Sequence, residues 1–396
     1  MTFSADKTGS NYVELTESRF GRRTFTVSAT AAAAAVASGA FGMGAFAQEA
    51  TPGASPIASG DGFKVAFIYV GPVGDLGWTY AHDQGRLYLE QVFPGIEASY
   101  SESVPETGAD AERVIRDYAQ KGYNLIVATS FGFMDATVNV AKQFPDTQFI
   151  HISGYKTAEN LSTAFGKIEE PRYVSGQLAA TLAPSGKLGY VAAFPIPEVI
   201  RGINAFTLGV RKINPEATVQ VVWTNTWYDP QKERQAAEAL LDGGADVIAQ
   251  HQDTAGPQQA AEAAGKYGVG YNADMAPLAP KAVITCAIWH WGVYYAGAVK
   301  SIMDGTWQSN SFWGGWKDGL VDLSPIADFV EATEKENAIA EEQSFKAGDQ
   351  DIFTIFTGPL NGQDGSEKVA EGTAMSAEDL LGMNWFVEGV QGELPS

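Results

Sequence analysis

One unit constrains this chain more than any other. Val221 to Asp253, VVWTNTWYDPQKERQAAEALLDGGADVIAQHQD, reads as strand, aromatic loop, helix, strand and polar loop. It sets Trp227 and Tyr228 at one strand exit and His251, Gln252 and Asp253 at the next. KVAFIYVGPVGDLGW, NLIVATSFGF, KLGYVAAFPIPEVI and VGYNADM repeat the pattern, each apolar run giving way to glycines, aromatics and a few polar groups. Alternation of strand and helix builds parallel sheets covered by helices, and such sheets hold ligands at their strand exits. The pattern predicts a site for a small, flat, partly polar molecule.

The units fall into two series. In the first, strands are predicted at Lys64 to Val70, Ala98 to Val104, Leu125 to Ala128 and Gln148 to Ser153. Helices are predicted at Gly77 to Phe93, Ala109 to Lys121 and Met134 to Phe144. After Ala164 to Lys167 the series restarts with a helix at Tyr173 to Leu182. Strands follow at Leu188 to Ala192, Val219 to Trp223, Val247 to Ala249, Val269 to Tyr271 and Val283 to Ala287. Helices at Glu198 to Ile213, Pro230 to Leu241 and Pro257 to Lys266 separate them. Two copies of one architecture imply two lobes with a cleft between them. The helix Gly292 to Met303 is expected to return to the first lobe and a short strand near Gly319 to Val321 to the second, so that three segments cross and permit hinge closure. The expected division is 63–168 with 288–318 for the N-terminal lobe, and 169–287 with 319–396 for the C-terminal lobe and its extension.

The first residues read as trafficking rather than fold. Arg22 and Arg23 precede Thr24, Phe25 and a weakly apolar Ala/Gly-rich run that ends Ala45, Phe46, Ala47. That is the form of a twin-arginine export signal, residues 1–47, cut after Ala47. A membrane helix is the competing reading, and the alanine and glycine content makes it a poor permanent anchor. Residues 48–62, rich in Ala, Pro, Ser and Gly, are expected to form a flexible leader. The remaining chain, about 350 residues, exceeds what one core usually serves. A soluble periplasmic protein is the expectation. The formal charge of −21 argues against nucleic acid and anionic membrane surfaces as partners.

Candidate site residues follow from the strand exits. Trp78 comes after Gly71, Gly74, Asp75 and Gly77 at a helix start, which suits either ring stacking on a ligand or a core tryptophan bridging loop and helix. The glycine spacing is neither a dinucleotide fingerprint nor a phosphate loop. Phe131 and Phe133 flank Gly132 at the next exit, and Phe194 precedes Pro195 and Pro197 at another. With Trp227, these rings at equivalent strand ends make the case for an aromatic cleft. Asp75, Asp253 and Asp274, with the amides Gln252 and Asn272, suit hydrogen bonding to a polar ring; helix capping and acid-base catalysis are the other roles open to carboxylates. The four histidines show no HExxH spacing and the single cysteine, Cys286, sits in an apolar run, so neither a metal site nor a disulfide is expected. Gly-x-Ser-x-Gly is absent. No catalytic apparatus and no cofactor site is located.

GPVGDLGWTYAHDQG, ATSFGFMDA, FPIPEVIRGINAFTLG, WTNTWYDPQKE, AQHQDT and GYNADMAPLAP together resemble the basic membrane protein family of ABC-transporter substrate-binding proteins, which includes purine nucleoside receptors. The resemblance runs from Phe63 to about Asp322. It implies an α/β type I periplasmic binding fold, two parallel-sheet lobes on a three-segment hinge, and delivery of a ligand to a membrane permease with a separate ATPase. It also implies that Trp78 takes the place of a purine-stacking phenylalanine, that Asp75 contacts the base, and that Asp274 is the cleft aspartate with Asn272 at the preceding aspartate position. Trp289 in ITCAIWH stands where nucleoside receptors carry a lysine near ribose, which points to a free base such as adenine, hypoxanthine or guanine. A nucleoside ligand, a ligand-dependent signalling receptor and, more remotely, a nucleosidase are the alternatives.

Overall fold

The computed structural model describes residues 58–395. The signal predicted at 1–47 and most of the leader lie outside these residues. Where the leader is described it is tied down: the Gly60 N–H donates to the Pro94 carbonyl at 2.8 Å, and the Phe63 N–H donates to the Gly60 carbonyl at 2.9 Å. The flexible leader is therefore corrected at its last residues, whose backbone bonds hold them beside the turn after the first helix.

The first lobe alternates β1 (Lys64–Ile68), α1 (Trp78–Val92), β2 (Glu97–Ser101), α2 (Gly108–Gln120), β3 (Leu125–Ala128), α3 (Met134–Ala141), β4 (Gln148–Ile152) and β5 (Leu161–Gly166). The second contains α4 (Glu169–Thr181), β6 (Lys187–Ala192), α5 (Pro197–Ile213), β7 (Thr218–Trp223), α6 (Pro230–Asp242), β8 (Val247–His251), α7 (Gly256–Ala263), β9 (Tyr267–Asn272) and β10 (Val283–Trp289). The chain then returns through α8 (Trp291–Met303), which packs on α1, and β11 (Ser311–Gly314). It crosses back to β12 (Val321–Leu323) and α9 (Ala332–Ala347), and ends in α10 (Ile352–Ile355), β13 (Leu360–Asn361), β14 (Glu367–Val369), α11 (Ala377–Leu381) and β15 (Val390–Gln391).

One sheet has the order β11-β5-β4-β3-β1-β2 and the other β12-β10-β9-β8-β6-β7-β15. All pairings in the first are parallel. In the second only β12 runs antiparallel, against β10. Both central sets of strands are buried on both faces, the reason their sequences read as continuous apolar runs. Ile68, Ile115, Ile126, Phe133 and Phe149 lie in one core; Val191, Ala237, Ile248, Val283 and Cys286 lie in the other. Between the two sheets the chain crosses three times, at 166–169, 289–291 and 314–321. Two of these crossings are knitted together: the Trp316 N–H donates to a Glu170 carboxylate oxygen at 2.8 Å.

Two strands of the first sheet depart from the sequence reading. A whole strand, β5, surrounds what looked like a junction at Ala164 to Lys167, and β11 extends the first sheet beside it. In α1 the inward face is carried by Gly85, Leu89 and Val92, with Leu87 and Tyr88 only half-buried, because Tyr295 and Trp291 of α8 press against Gly85. The C-terminal extension docks on the second lobe, where β15 pairs with β7 and the Asn204 side chain bonds the Trp385 carbonyl and the Val387 N–H at 2.8 and 3.0 Å.

Candidate functional site

The strand exits of the two sheets face each other across a cleft with about 390 Å³ of empty space, its mouth included. Four of the predicted residues line it: Trp78, Phe131, Trp227 and Asp253. Val70, Ser130, Ser153, Glu198, His251 and Tyr271 complete the lining. Hydrogen bonds span the cleft. The Trp78 N–H, at the start of α1, donates to Asp253 Oδ1 at 3.2 Å, and Ser153 Oγ donates to Glu198 Oε2. The lobes are closed on one another. The lobes approach closely at Gly77, where a Cβ would stand 2.3 Å from the Asp253 carbonyl oxygen and 2.5 Å from its Cα. Any side chain at 77 would hold the lobes apart.

The start of α1 gathers two carboxylates. Asp75 accepts from the N–H groups of Gly77, Thr79 and Tyr80 at 2.7, 3.2 and 2.9 Å, so its oxygens satisfy donors the helix leaves free. It does not line the cleft. Burial raises Asp75 to about 6. Asp253 is also held well above the ordinary carboxylate range, by burial first and then by the charges of Asp75 and Glu233.

Asn272 has φ of 70°, a left-handed conformation that asparagine tolerates better than most residues. Its amide nitrogen donates to Asp253 Oδ1 at 3.0 Å and its oxygen accepts the Trp289 indole N–H at 2.9 Å. Trp289 is buried behind the lining, stacked on Trp291 at 5.1 Å and edge-on to Phe165 and Trp78 at 5.6 and 5.7 Å. Trp78 in turn donates its indole N–H to the Thr129 carbonyl. These rings form one aromatic block on the hinge side of the cleft.

The other predicted residues stand further back. Phe194 meets the Trp227 ring edge-on at 5.0 Å. Gln252 donates to Thr224 Oγ1 and the Thr226 carbonyl at 2.6 and 3.1 Å, tying down the loop that carries Trp227. Asp274 accepts from the Ala276 N–H at 3.0 Å and caps a short turn. Phe133 points the opposite way from Phe131 and is fully buried in the first lobe's core, because the one-turn helix 131–133 sends its two phenylalanines to different sides.

Residues outside the predicted site set supply much of the polar lining, His251 among them although the sequence marks its strand exit. His251 Nδ1 and the Tyr271 hydroxyl are buried without a partner, and burial with the charges of Arg172 and Arg201 keeps His251 neutral. The Arg172 guanidinium lies over the Tyr271 ring at 4.1 Å and sets it from behind. Among the described residues no lysine or arginine lines the cleft, and no group of three His, Cys, Asp or Glu is placed to hold a metal.

Two lobes closing over a cleft of rings and polar groups have the type I periplasmic binding architecture. Solved structures with this fold include ABC-transporter solute-binding proteins from Conexibacter woesei (TM-score 0.61, 23% identity, 74% of this chain and 99% of that one) and Aeropyrum pernix (TM-score 0.63, 19% identity, 72% and 92%). The family model for PnrA-like ABC transporter substrate-binding proteins matches residues 63–351, and the chain belongs to that family. A purine-binding protein of Brucella abortus is 45% identical over 335 residues, 84% of this chain and 94% of the relative. A Haloferax volcanii protein named as a candidate ABC transporter glucose-binding protein is 39% identical over 348 residues, 88% and 85%. The chain is thus the extracytoplasmic binding component of an ABC importer, a transport protein working with a membrane permease and ATPase rather than an enzyme.

Proposed function

We propose that the cleft captures a purine nucleobase, adenine, hypoxanthine or guanine, and presents it to the importer's permease. The observation that carries this reading is the convergence of the Trp78, Phe131 and Trp227 rings with Asp253, Ser130, His251 and Tyr271 on one enclosed space. A purine offers two broad π faces and an edge of alternating donors and acceptors. Aromatic side chains meet the faces, and buried polar groups meet the edge, where each unpaired group costs about 1 to 3 kcal/mol. The 45% identity to a purine-binding protein supports the same assignment. Arg22 and Arg23 support export by the twin-arginine route to the periplasm.

A sugar is the second reading, favoured by the 39% identity to the glucose-binding candidate and by the fact that rings and carboxylates also suit a pyranose. Calorimetric titration of unfolded, dialysed and refolded protein separates the two. Stoichiometric heat with a purine base and none with glucose is expected. Heat with glucose alone would transfer the assignment to sugar uptake.

A further inference from the structure

The cleft contains a carboxyl group that ring recognition does not explain. Glu198, in the first turn of α5, lines the cavity and receives the Ser153 hydroxyl from the opposite lobe. Among the described residues no cation forms an ion pair with it, although the nearby Arg201 favours its charged form. Arg201, on its own helix, is committed to Glu169 of α4 at 2.8 Å, with both side chains buried. The other charges that act on it are negative, from Glu169 and from Glu106 beside Ser130. The β4 side presents the neutral Ser153, and the β9 side presents the Tyr271 hydroxyl, held protonated by burial. The β8 side presents neutral His251 and a second carboxyl, Asp253, on the same cavity.

A half-buried carboxyl on a cavity that no lysine or arginine lines, and that carries a second carboxyl on its wall, is costly to keep charged; protonation removes the cost and turns an obligate acceptor into a donor. Resting on the purine reading, we propose that Glu198 is a specificity-determining group that meets the ligand as a protonated carboxylic acid, so that closure draws one proton from solvent and the cleft discriminates against anionic purines. Glu198 is half-buried in the closed form, and desolvation there raises it to about 7 against the opposing effects of the Ser153 hydroxyl and Arg201. An exposed glutamate titrates near about 4.3, so between these values the closed form binds more protons than the open one, and affinity falls as pH rises through that window.

The test is calorimetry with adenine near about pH 6 in two buffers of different ionisation heat, on the unmodified protein and on Glu198→Gln, which keeps the side-chain shape and an acceptor for Ser153. Expected are net proton uptake by the unmodified protein, and binding by the variant with uptake lower by about one. Heat independent of buffer, or the same uptake in the variant, would overturn the proposal. Urate, an anion at neutral pH, is expected to bind the unmodified protein at least about a hundredfold more weakly than hypoxanthine, a gap of about 2.7 kcal/mol; equal binding would also overturn it. Absence of heat with every purine base defeats the purine reading instead. Glu198 is then judged by infrared difference spectroscopy of the same two proteins as purified: a carboxylic-acid carbonyl band lost in the variant supports the proton, and its absence in the unmodified protein overturns it.

Discussion

Trp289 and Asn272 are joined by an indole N–H to amide oxygen bond of 2.9 Å, and the same amide donates to Asp253 at 3.0 Å. The hinge tryptophan is thereby linked to a carboxyl of the cleft through one side chain that must accept on one side and donate on the other. An amide does both and a carboxylate does not, which fits asparagine where the resemblance leads one to expect aspartate. Asn272→Asp loses the donor and sets a further carboxylate against Asp253. Stability is expected to fall by about 1 to 3 kcal/mol and purine affinity by at least about tenfold. Denaturant unfolding and calorimetry check this; an unaltered midpoint would show that the amide does not bridge the two groups.

Trp78 is expected to dominate affinity. It lines the cleft, its indole N–H is anchored on the Thr129 carbonyl, and its backbone N–H contributes to lobe closure. Trp78→Ala leaves the closure bond intact and removes the ring alone. Truncating a central interface tryptophan costs at least about 2 kcal/mol, so affinity should drop about 30-fold or more while the fold persists. A folded variant with undiminished affinity would assign the ring to packing of the hinge block.

Much of this architecture was legible because parallel strands buried on both faces leave apolar runs that end at glycine and aromatic residues. Leu125–Ala128 was read to the residue, and Met134 was read as the start of its helix. β5 was reduced to a junction because Ser162 and Thr163 interrupt its apolar run, and β11 was missed because SFWG sits among serine, asparagine and glycine and becomes a strand only by pairing with β5. In the site, Trp78, Phe131, Trp227 and Asp253 were visible as strand-exit residues. Glu198 was quoted within FPIPEVI but reads locally as an ordinary acid in a helix's first turn; its meaning depends on Ser153, which arrives only when the lobes close. Likewise nothing local distinguishes Phe131 from Phe133, since the direction of each ring is set by the turn that carries them.

The hinge should carry a pH signature of its own. Burial holds Glu170 at about 7, while it accepts the Trp316 N–H that joins two interlobe crossings. The unfolded chain titrates this group near about 4.3, so between the two values the native state binds more protons. Its contribution is therefore favourable below that window and is lost as pH rises through about 7. Glu170→Gln should flatten this part of the stability profile and raise stability at alkaline pH relative to the unmodified protein. Parallel denaturation curves from acid to alkaline pH provide the check, and two profiles of identical slope would remove Glu170 as the cause.

The preference for base over nucleoside is expected to reside in Trp289. The residue is only 6% exposed, and a Cβ added at Gly166 would stand 2.3 Å from its Cζ3, so it is packed against backbone as well as against Trp291 and Phe165. Its single donor is already taken by Asn272. A ribose directed toward this side would have to displace packed aromatic surface and would find no free donor on Trp289, at about 1 to 3 kcal/mol for each hydroxyl left unpaired. The free base should therefore bind at least about tenfold more tightly than its nucleoside. Trp289→Lys exchanges the ring for a flexible cation with three donors and should narrow the gap, chiefly by improving nucleoside binding. The exchange also removes the indole bond to Asn272, so both ligands are measured on protein whose unfolding transition has first been shown to remain cooperative. Nucleoside binding by the unmodified protein as tight as that of the base would place the ribose elsewhere, toward Glu198 and Ser153, where the cleft does present polar side chains.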